Sequence, residues 1–363
     1  MPRKQVQTCD PCKTAGEEIE ATGYCENCGE YLCSSCFRSH SRSKATKHHN
    51  LMDKDNMPEE SNSAIASSIA KIDIHKEGAR YQKSKDEYSY VRDINVKAAG
   101  DAKCCFIVAM TLVSNHELVL ADNGNKLLKL VDIERNVMKA ILNLESEPYG
   151  LTTVSKDEVA VLLSNIYAIQ IVTISGTISV QRNIKLMGQC LGICYINGKL
   201  YASLQNCVHF QILQLSGAVD KTIKPDAEVL KHCTFPDYIA VSPDESVIYV
   251  SDWKTNKVMC INMDGNMISM YQNELAMPRD IVISPLGSVY LCNRDQHVIF
   301  KMTPDLSGAT VLLGPGDGLF APQSMCCNTA KQHFYISSGS NTAEKCNQIK
   351  VFKWHKPDTD ASM

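Results

Sequence analysis

The 363-residue sequence predicts a mainly β protein in which a small cross-braced domain precedes a six-bladed β-propeller. Two observations support this fold class. Cysteine and histidine residues with metal-ligand spacing are concentrated in the N-terminal segment, and a unit of roughly 42 residues recurs from about residue 104 onward. The composition, with 44% hydrophobic and 21% charged residues and a net charge of −3, is ordinary for a globular protein and indicates no strong electrostatic preference.

Three Cys-x2-Cys pairs, followed by His40 and the adjacent His48 and His49, form the metal-ligand pattern. The pairs are Cys9 and Cys12, Cys25 and Cys28, and Cys33 and Cys36. Each pair presents two thiolates to one tetrahedral ion from a tight turn, so the set supplies ligands for two closed Zn²⁺ sites. Because this short, polar segment buries little apolar surface, zinc must stabilise it, by about 10–16 kcal/mol.

An interleaved arrangement ties the whole segment together, because each ion then joins ligand pairs that are distant in sequence. The first and third pairs hold zinc 1, and the second and fourth hold zinc 2. Zinc 1 is predicted to bind Cys9, Cys12, Cys33 and Cys36. Zinc 2 is predicted to bind Cys25, Cys28, His40 and one of His48 and His49.

Disulfide bonds in a secreted domain are the alternative interpretation of these cysteines. The N-terminal residues are polar and lack the apolar stretch of a signal peptide, and no hydrophobic run approaches the ~20 residues of a membrane span. We therefore expect a reducing, cytoplasmic location and no membrane association.

Residues 6–52 resemble the B-box zinc finger of the tripartite-motif (TRIM) family, in the type that opens with Cys-x2-Cys. A RING finger closes with another Cys-x2-Cys pair, whereas this segment closes with His40 and a histidine eight or nine positions later. B-boxes commonly end as His-x-apolar, which His49-Asn50-Leu51 satisfies. The resemblance therefore favours His49 as the last ligand, with His48 as the alternative.

Residues 53–88 are polar and predict a linker. Their short apolar stripe, Ile65, Ile69 and Ile72, covers two helical turns, whereas a coiled coil needs three or four heptads. TRIM proteins ordinarily place a RING before the B-box and a long coiled coil after it. The few residues before Cys9 leave no room for a RING, so we expect a TRIM-like protein without either element, as a monomer or weak dimer.

The repeat units each predict four short strands, which is the pattern of a propeller blade. Units two to six open at Pro148, Cys190, Pro236, Pro278 and Pro322, and Ile107 takes this place in unit one. Unit six lacks a fourth strand, and an open sheet edge leaves hydrogen-bonding groups unpaired. The predicted domains are 1–52, linker 53–88, propeller 89–356 with 89–97 closing the last blade, and tail 357–363.

Units one, four and five also resemble NHL repeats, which carry an apolar-Ala/Ser-Asp phrase before a polar loop. Ala121-Asp122 and Ser251-Asp252 show this phrase, and no unit ends in the Trp-Asp of a WD repeat. Together, a B-box and an NHL-like propeller resemble one branch of the TRIM family. The resemblance implies an adaptor or scaffold with protein partners, in ubiquitin-related regulation.

No catalytic or cofactor-binding residue is predicted, because no Ser-His-Asp spacing, nucleophile elbow or nucleotide-binding glycine loop occurs. A metal-dependent lactonase would need acidic or amide groups converging at the funnel. The recurring candidates are Asp122, Asp244, Asp252 and Asn293, and their place in the repeat favours support of turns.

RNA binding and ubiquitin ligation are the alternative functions. Residues 104–354 contain 20 Lys plus Arg against 22 Asp plus Glu, a net charge of −2, whereas nucleic-acid modules usually show a basic excess. A local patch is available in Lys254, Lys257, Arg279 and Arg294. The ligase alternative follows from the family resemblance alone. We expect a non-enzymatic adaptor.

Overall fold

The computed structural model describes residues 8–9, 11–12, 17–25, 30–42, 51–54, 88–175, 177–205, 208–284, 287–339 and 343–355. The chain divides into two compact units, Met1–Ala79 and Arg80–Met363. Several sequence predictions lie outside the described residues: Cys28, His48, His49, the linker from 55 to 87 and the tail from 356.

The first unit contains a small antiparallel sheet with the strand order β2-β1-β3 and one helix. Its elements are β1 (Gly23–Cys25), β2 (Glu30–Leu32), α1 (Ser34–Arg42) and β3 (Leu51–Asp53). A Cβ atom at Gly23 would lie 2.4 Å from the Phe37 ring and 2.7 Å from the Met52 carbonyl oxygen. Only glycine therefore allows α1 to pack directly on β1.

The second unit contains six four-stranded antiparallel sheets, in agreement with the six predicted blades. Blade one consists of β5 (Ile107–Leu112), β6 (Glu117–Asp122), β7 (Leu127–Asp132) and β8 (Val137–Asn143). Blade two consists of β9 (Gly150–Ser155), β10 (Glu158–Leu163), β11 (Ala168–Thr173) and β12 (Ser179–Lys185). Blade three consists of β13 (Cys190–Ile196), β14 (Lys199–Leu204), β15 (His209–Gln214) and β16 (Val219–Ile223).

The remaining blades have the same organisation. Blade four consists of β17 (Tyr238–Val241), β18 (Val247–Asp252), β19 (Lys257–Asn262) and β20 (Met267–Tyr271). Blade five consists of β21 (Pro278–Ile283), β22 (Val289–Asn293), β23 (Val298–Met302) and β24 (Ala309–Leu313). Blade six consists of β25 (Pro322–Asn328), β26 (His333–Ser338), β27 (Gln348–Trp354) and β4 (Tyr88–Asn95). The short helices are α2 (Ala227–His232) and α3 (Ala343–Cys346), with 3₁₀ turns at Ser164–Ile166 and Pro315–Asp317.

The first strands of the six blades follow one another around a closed ring, which gives the six-bladed β-propeller. Buried apolar side chains fill each space between neighbouring blades. Between blades one and two, for example, Val119 and Val159 belong to the same buried cluster. Successive residues of a strand point to opposite faces of the sheet, so each blade contributes side chains to the clusters on both of its sides.

Strand β4 completes blade six, although it precedes blade one in the sequence. It pairs antiparallel with β27, with Tyr88 opposite Trp354 and Asn95 opposite Gln348. Ile94 is fully buried in the cluster between blades six and one. Strand β4, at Tyr88–Asn95 compared with the predicted 89–97, joins the two ends of the ring.

A central cavity of about 450 Å³ is lined by the first strands. Tyr238 of blade four crosses this region. Its hydroxyl group donates to the carbonyl oxygen of Val108 at 2.8 Å and accepts from Nε2 of Gln323 at 2.8 Å. Among the described residues, Asp280 is the one acidic side chain that lines the cavity. None of the described helices has the length and apolar character needed to cross a membrane.

Candidate metal centre and propeller surface

Four cysteine sulfur atoms converge in the first unit, from Cys9, Cys12, Cys33 and Cys36. They all lie within 4.8 Å of one another. The Sγ atom of Cys12 is 3.8 Å from that of Cys33 and 3.7 Å from that of Cys36. Four thiolates about 2.3 Å from one tetrahedral zinc ion are separated by about 3.8 Å. The structure therefore brings together the residues predicted for zinc 1, at the spacing of a closed zinc site.

The start of α1 positions the third cysteine pair. Cys33 precedes the helix, its carbonyl oxygen accepts from the backbone N–H of Phe37 at 2.8 Å, and Cys36 lies in the first turn. Helix N-terminal N–H groups stabilise thiolates. On the other side, the backbone N–H of Cys9 donates to the carbonyl oxygen of Ile19 at 2.7 Å. Cys9 and Cys33 are both buried.

The clustered thiols have unequal proton affinities. The backbone N–H of Cys36 is the largest influence that lowers the pKa of Cys33, to about 7. A hydrogen bond with Cys9 raises the pKa of Cys12 to about 11, and burial raises the pKa of Cys36. Zinc binds the thiolate form, so these groups fit a metal that displaces protons as it binds.

Two ligands of the predicted zinc 2 lie within the described residues. Cys25 is buried in β1, and His40 is partly buried in α1. Cys28, His48 and His49 lie outside the described residues, so this second site stays a prediction.

The recurring acidic and amide residues of the propeller support turns. Asp122, Asp252 and Asn293 occupy the last positions of β6, β18 and β22. Asp252 accepts four backbone hydrogen bonds, two from the connection before blade four and two from the following turn. Asp244 accepts from the backbone N–H of Ser246 at 3.1 Å within the turn before β18. These four side chains do not line the central cavity.

A buried ion cluster in blade one was missed by sequence reasoning. Lys129 is fully buried, and its Nζ atom lies 2.6 Å from Asp101 Oδ2 and 2.7 Å from Asp122 Oδ2. Burial alone would lower the pKa of Lys129, but its hydrogen bonds with both carboxylates raise it. Asp101, Cys105 and Asp122 are metal-ligand types, and here the ammonium group supplies the cation. A lone lysine in the apolar strand β7 was the available sequence signal.

Blades four and five carry a surface that we call the mouth cluster, formed by Phe235, Trp253, Lys254 and Arg279 together with Arg294, which lies near enough to Arg279 for their positive charges to repel. The rings of Phe235 and Trp253 meet edge to face at 5.3 Å. Lys254 Nζ lies 4.1 Å from the centre of the Phe235 ring, and Arg279 Cζ lies 5.3 Å from that of Trp253. These distances are typical of cation–π contacts.

The mouth cluster contains three of the four cations in the predicted basic patch. The fourth, Lys257, instead places its Nζ atom 2.6 Å from Nδ1 of His232 in α2. The two aromatic rings were not foreseen, because Phe235 and Trp253 lie in separate connections and only the blade structure brings them together.

Comparison with known proteins assigns the first unit. Residues 8–51 match the ANCHR-like B-box zinc-binding domain family. "E3 ubiquitin-protein ligase TRIM33" of Xenopus laevis is 34% identical over 74 residues, which are 20% of this chain and 6% of that protein. The Homo sapiens protein of the same name is 38% identical over 56 residues, 15% of this chain and 5% of that protein. The chain thus matches only a small part of these relatives' length.

Solved structures resemble the larger unit in fold. A protein of unknown function from Bacteroides thetaiotaomicron aligns with a TM-score of 0.56 and 12% identity, over 74% of this chain and 76% of that one. A hydrazine synthase chain from Kuenenia stuttgartiensis aligns with a TM-score of 0.52 and 11% identity, over 72% of this chain and 99% of that one. Identities this low show the fold alone. The chain thus combines a TRIM-like B-box zinc-binding domain with a six-bladed β-propeller.

Proposed function

We propose that this protein is a non-enzymatic adaptor that binds one protein through its B-box and another through the propeller. The mouth cluster is the observation that carries the proposal. Aromatic and arginine side chains contribute most to binding energy at protein interfaces. Trp253 and Phe235 are each only partly buried within the chain, so both rings keep accessible area for a partner.

The B-box offers a separate surface on α1. None of the described residues of this helix is fully buried, and Arg38 and Arg42 lie one turn apart on its exposed side. A helix that contributes little to its own core can give its outer face to a partner. The zinc-bound pair Cys33 and Cys36 would hold that face rigid.

The test is affinity capture with the full chain, with and without nuclease. We expect a double W253A/K254Q variant to lose one nuclease-resistant protein and an R38Q/R42Q variant to lose a different one. Arg135→Gln is the control, because Arg135 is 83% exposed in the turn between β7 and β8. Loss of every captured protein on nuclease treatment would contradict the adaptor and favour RNA, which also binds to aromatic rings beside cations.

Ubiquitin ligation is a second candidate, since the relatives that match the B-box are named as E3 ubiquitin-protein ligases. A reconstituted ubiquitination assay tests it, and we expect no chain formation. Chain formation that disappears in C33S and C36S variants would establish the B-box as a ligase module. We also expect a cytoplasmic location, because none of the fifteen cysteines in the described part of the chain forms a disulfide bond.

A further inference from the structure

Arg294 holds a guanidinium group that lacks a carboxylate partner. It follows β22 directly and is half-buried. Its Nη2 atom donates to the carbonyl oxygen of Gly339 at 3.0 Å, and its Nη1 atom lies 3.7 Å from Met277 Sδ. Among the described residues, no carboxylate oxygen lies within the 4.0 Å of an ion pair with this side chain. Burial, followed by the positive charge of Arg279, lowers the pKa of Arg294.

Three buried polar atoms near this group have no hydrogen-bond partner within the described structure: Nε of Arg294, Nε of Arg279 and Oε1 of Gln323. Buried N–H groups are almost always paired, so the two guanidinium Nε–H groups point to a missing acceptor, whereas the Gln323 oxygen lacks a donor. The lack of a side chain at Gly339 leaves space beside two of these atoms. A Cβ atom there would lie 2.8 Å from Arg294 Nε and 3.1 Å from Gln323 Oε1.

The two guanidinium groups at the site differ in their direct carboxylate partners. Arg279 is already neutralised, because its Nη1 atom lies 2.7 Å from Asp237 Oδ2. Both groups are largely buried, with 14% and 10% of their side chains exposed. Asp295 attracts the Arg294 guanidinium without an ion-pair contact, so this guanidinium is the one that a ligand can pair with directly.

We propose that Arg294 binds a carboxylate group from an acidic segment of the protein partner, with Lys254 attracting the same segment at the rim. The proposal rests on the protein-binding role suggested above for the mouth cluster. A carboxylate matches one guanidinium in charge and accepts two parallel hydrogen bonds from its fork. A phosphate dianion would leave excess negative charge beside the exposed Asp295.

Fluorescence anisotropy with the full chain tests the site. The probes are a fluorescein-labelled glutamate hexapeptide, the matching glutamine hexapeptide and a uridine octanucleotide. We expect the glutamate peptide to bind best. Arg294→Gln should weaken its binding by about tenfold or more, as expected for a hydrogen-bonded charge. Arg294→Lys, which keeps the charge but loses the fork, should fall between, and Arg135→Gln should match the wild type.

Lys254→Gln is the second variant, because Lys254 is exposed at the surface. We expect this change to weaken binding of the glutamate peptide by a few-fold. Equal binding of the two peptides, or a correctly folded R294Q protein that binds as R135Q does, would overturn the carboxylate site. Tighter binding of the octanucleotide, lost in R294Q, would overturn it in favour of phosphate. If the peptide fails while nuclease-resistant capture persists, the adaptor stands and only the carboxylate site is wrong.

Discussion

The B-box unit and the propeller are stabilised in opposite ways. Apart from cysteines, the fully buried apolar residues described in the first unit are Ala21 and Leu32, whereas the propeller holds six separate buried clusters between its blades. A few ligand atoms at fixed spacing replace a core in the first unit. In the second, many weak contacts are repeated around a ring. The first unit should therefore fail by loss of a metal, and the second by loss of a strand or a buried side chain.

Metal removal should have the largest effect and should act on one unit alone. We expect a strong chelator to unfold the B-box while the propeller keeps its structure, since structural zinc contributes about 10–16 kcal/mol in small modules. Hydrogen exchange on the full chain measures both units at once. Native mass spectrometry should also find two zinc ions per chain.

A Cys36→Ser variant should reproduce the effect of the chelator on the B-box, whereas Cys292→Ser, a buried propeller cysteine, should leave metal content unchanged. Protection of the B-box that persists in chelator would show that packing, not metal, holds this unit.

Loss of the closing strand should be the next largest effect. Deleting residues 1–98 should destabilise the propeller, whereas deleting 1–84 should not, because only the longer deletion removes β4. The buried side chains of Ile94 and Val96 alone account for about 3–6 kcal/mol. Thermal unfolding of the two truncations measures the difference. Equal melting temperatures would mean that the ring is stable with an open edge on β27.

Lys129→Met should show that the propeller also depends on a buried charge. The change leaves the carboxylates of Asp101 and Asp122, which have oxygen atoms within 4.8 Å of each other, without a cation. Breaking such a buried ion pair costs about 3–5 kcal/mol. Lys126→Met is the matched control, because Lys126 pairs with Glu147 at the surface with 52% of its side chain exposed. Exposed pairs contribute about 0–1 kcal/mol. Urea unfolding should separate the two variants, and equal losses would argue that the cluster contributes nothing beyond packing.

The smallest expected effect is on the pH dependence of propeller stability. Loss of solvation raises the pKa of Asp280 to about 7, whereas an unfolded aspartate titrates near 4. The folded state then binds more protons in this window, so stability falls as pH rises towards 7. We expect wild type to gain on the order of 2 kcal/mol relative to Asp280→Asn between pH 8 and pH 5.

The comparison with Asp280→Asn is needed because other groups titrate in the same range. Burial lowers the pKa of His209, His297 and His333, so their contribution is lost as pH falls. Subtracting the variant removes that opposing contribution. Denaturant unfolding of both proteins at several pH values measures the difference in their stability. Parallel curves of unfolding free energy against pH would show that Asp280 is ionised throughout.

The sequence predicted the features that depend on order along the chain. Repeated openings near Pro278 and Pro322 coincide with the first residues of β21 and β25, because each blade must fold from the same alternation. The cysteine spacing predicted the cluster of Cys9, Cys12, Cys33 and Cys36 for a similar reason, because each Cys-x2-Cys pair is a local feature of the chain. Unit six lacks a fourth strand, and one additional strand precedes unit one. These two features were enough to predict how the propeller ring closes.

Contacts between blades were not predictable in the same way. Arg279 and Asp237 lie 42 positions apart, and Tyr238 reaches Val108 across 130 positions. Such pairs depend on how neighbouring blades are oriented, which no local pattern encodes. The basic patch predicted from the sequence includes Arg294, but its lack of a carboxylate partner has no sequence signal, because it depends on which groups fail to reach the guanidinium.

The pairing of β4 with β27 also affects how the chain folds during synthesis. Lys350 and Asp93, which bond across this seam, are 257 positions apart. At translation rates of about 5–20 residues per second, the ribosome needs roughly 13 to 50 seconds to make the intervening chain. During that time β4 has an exposed strand edge and no partner, which favours pairing with other nascent chains. Blade six can therefore be completed only after nearly the whole propeller has been synthesised.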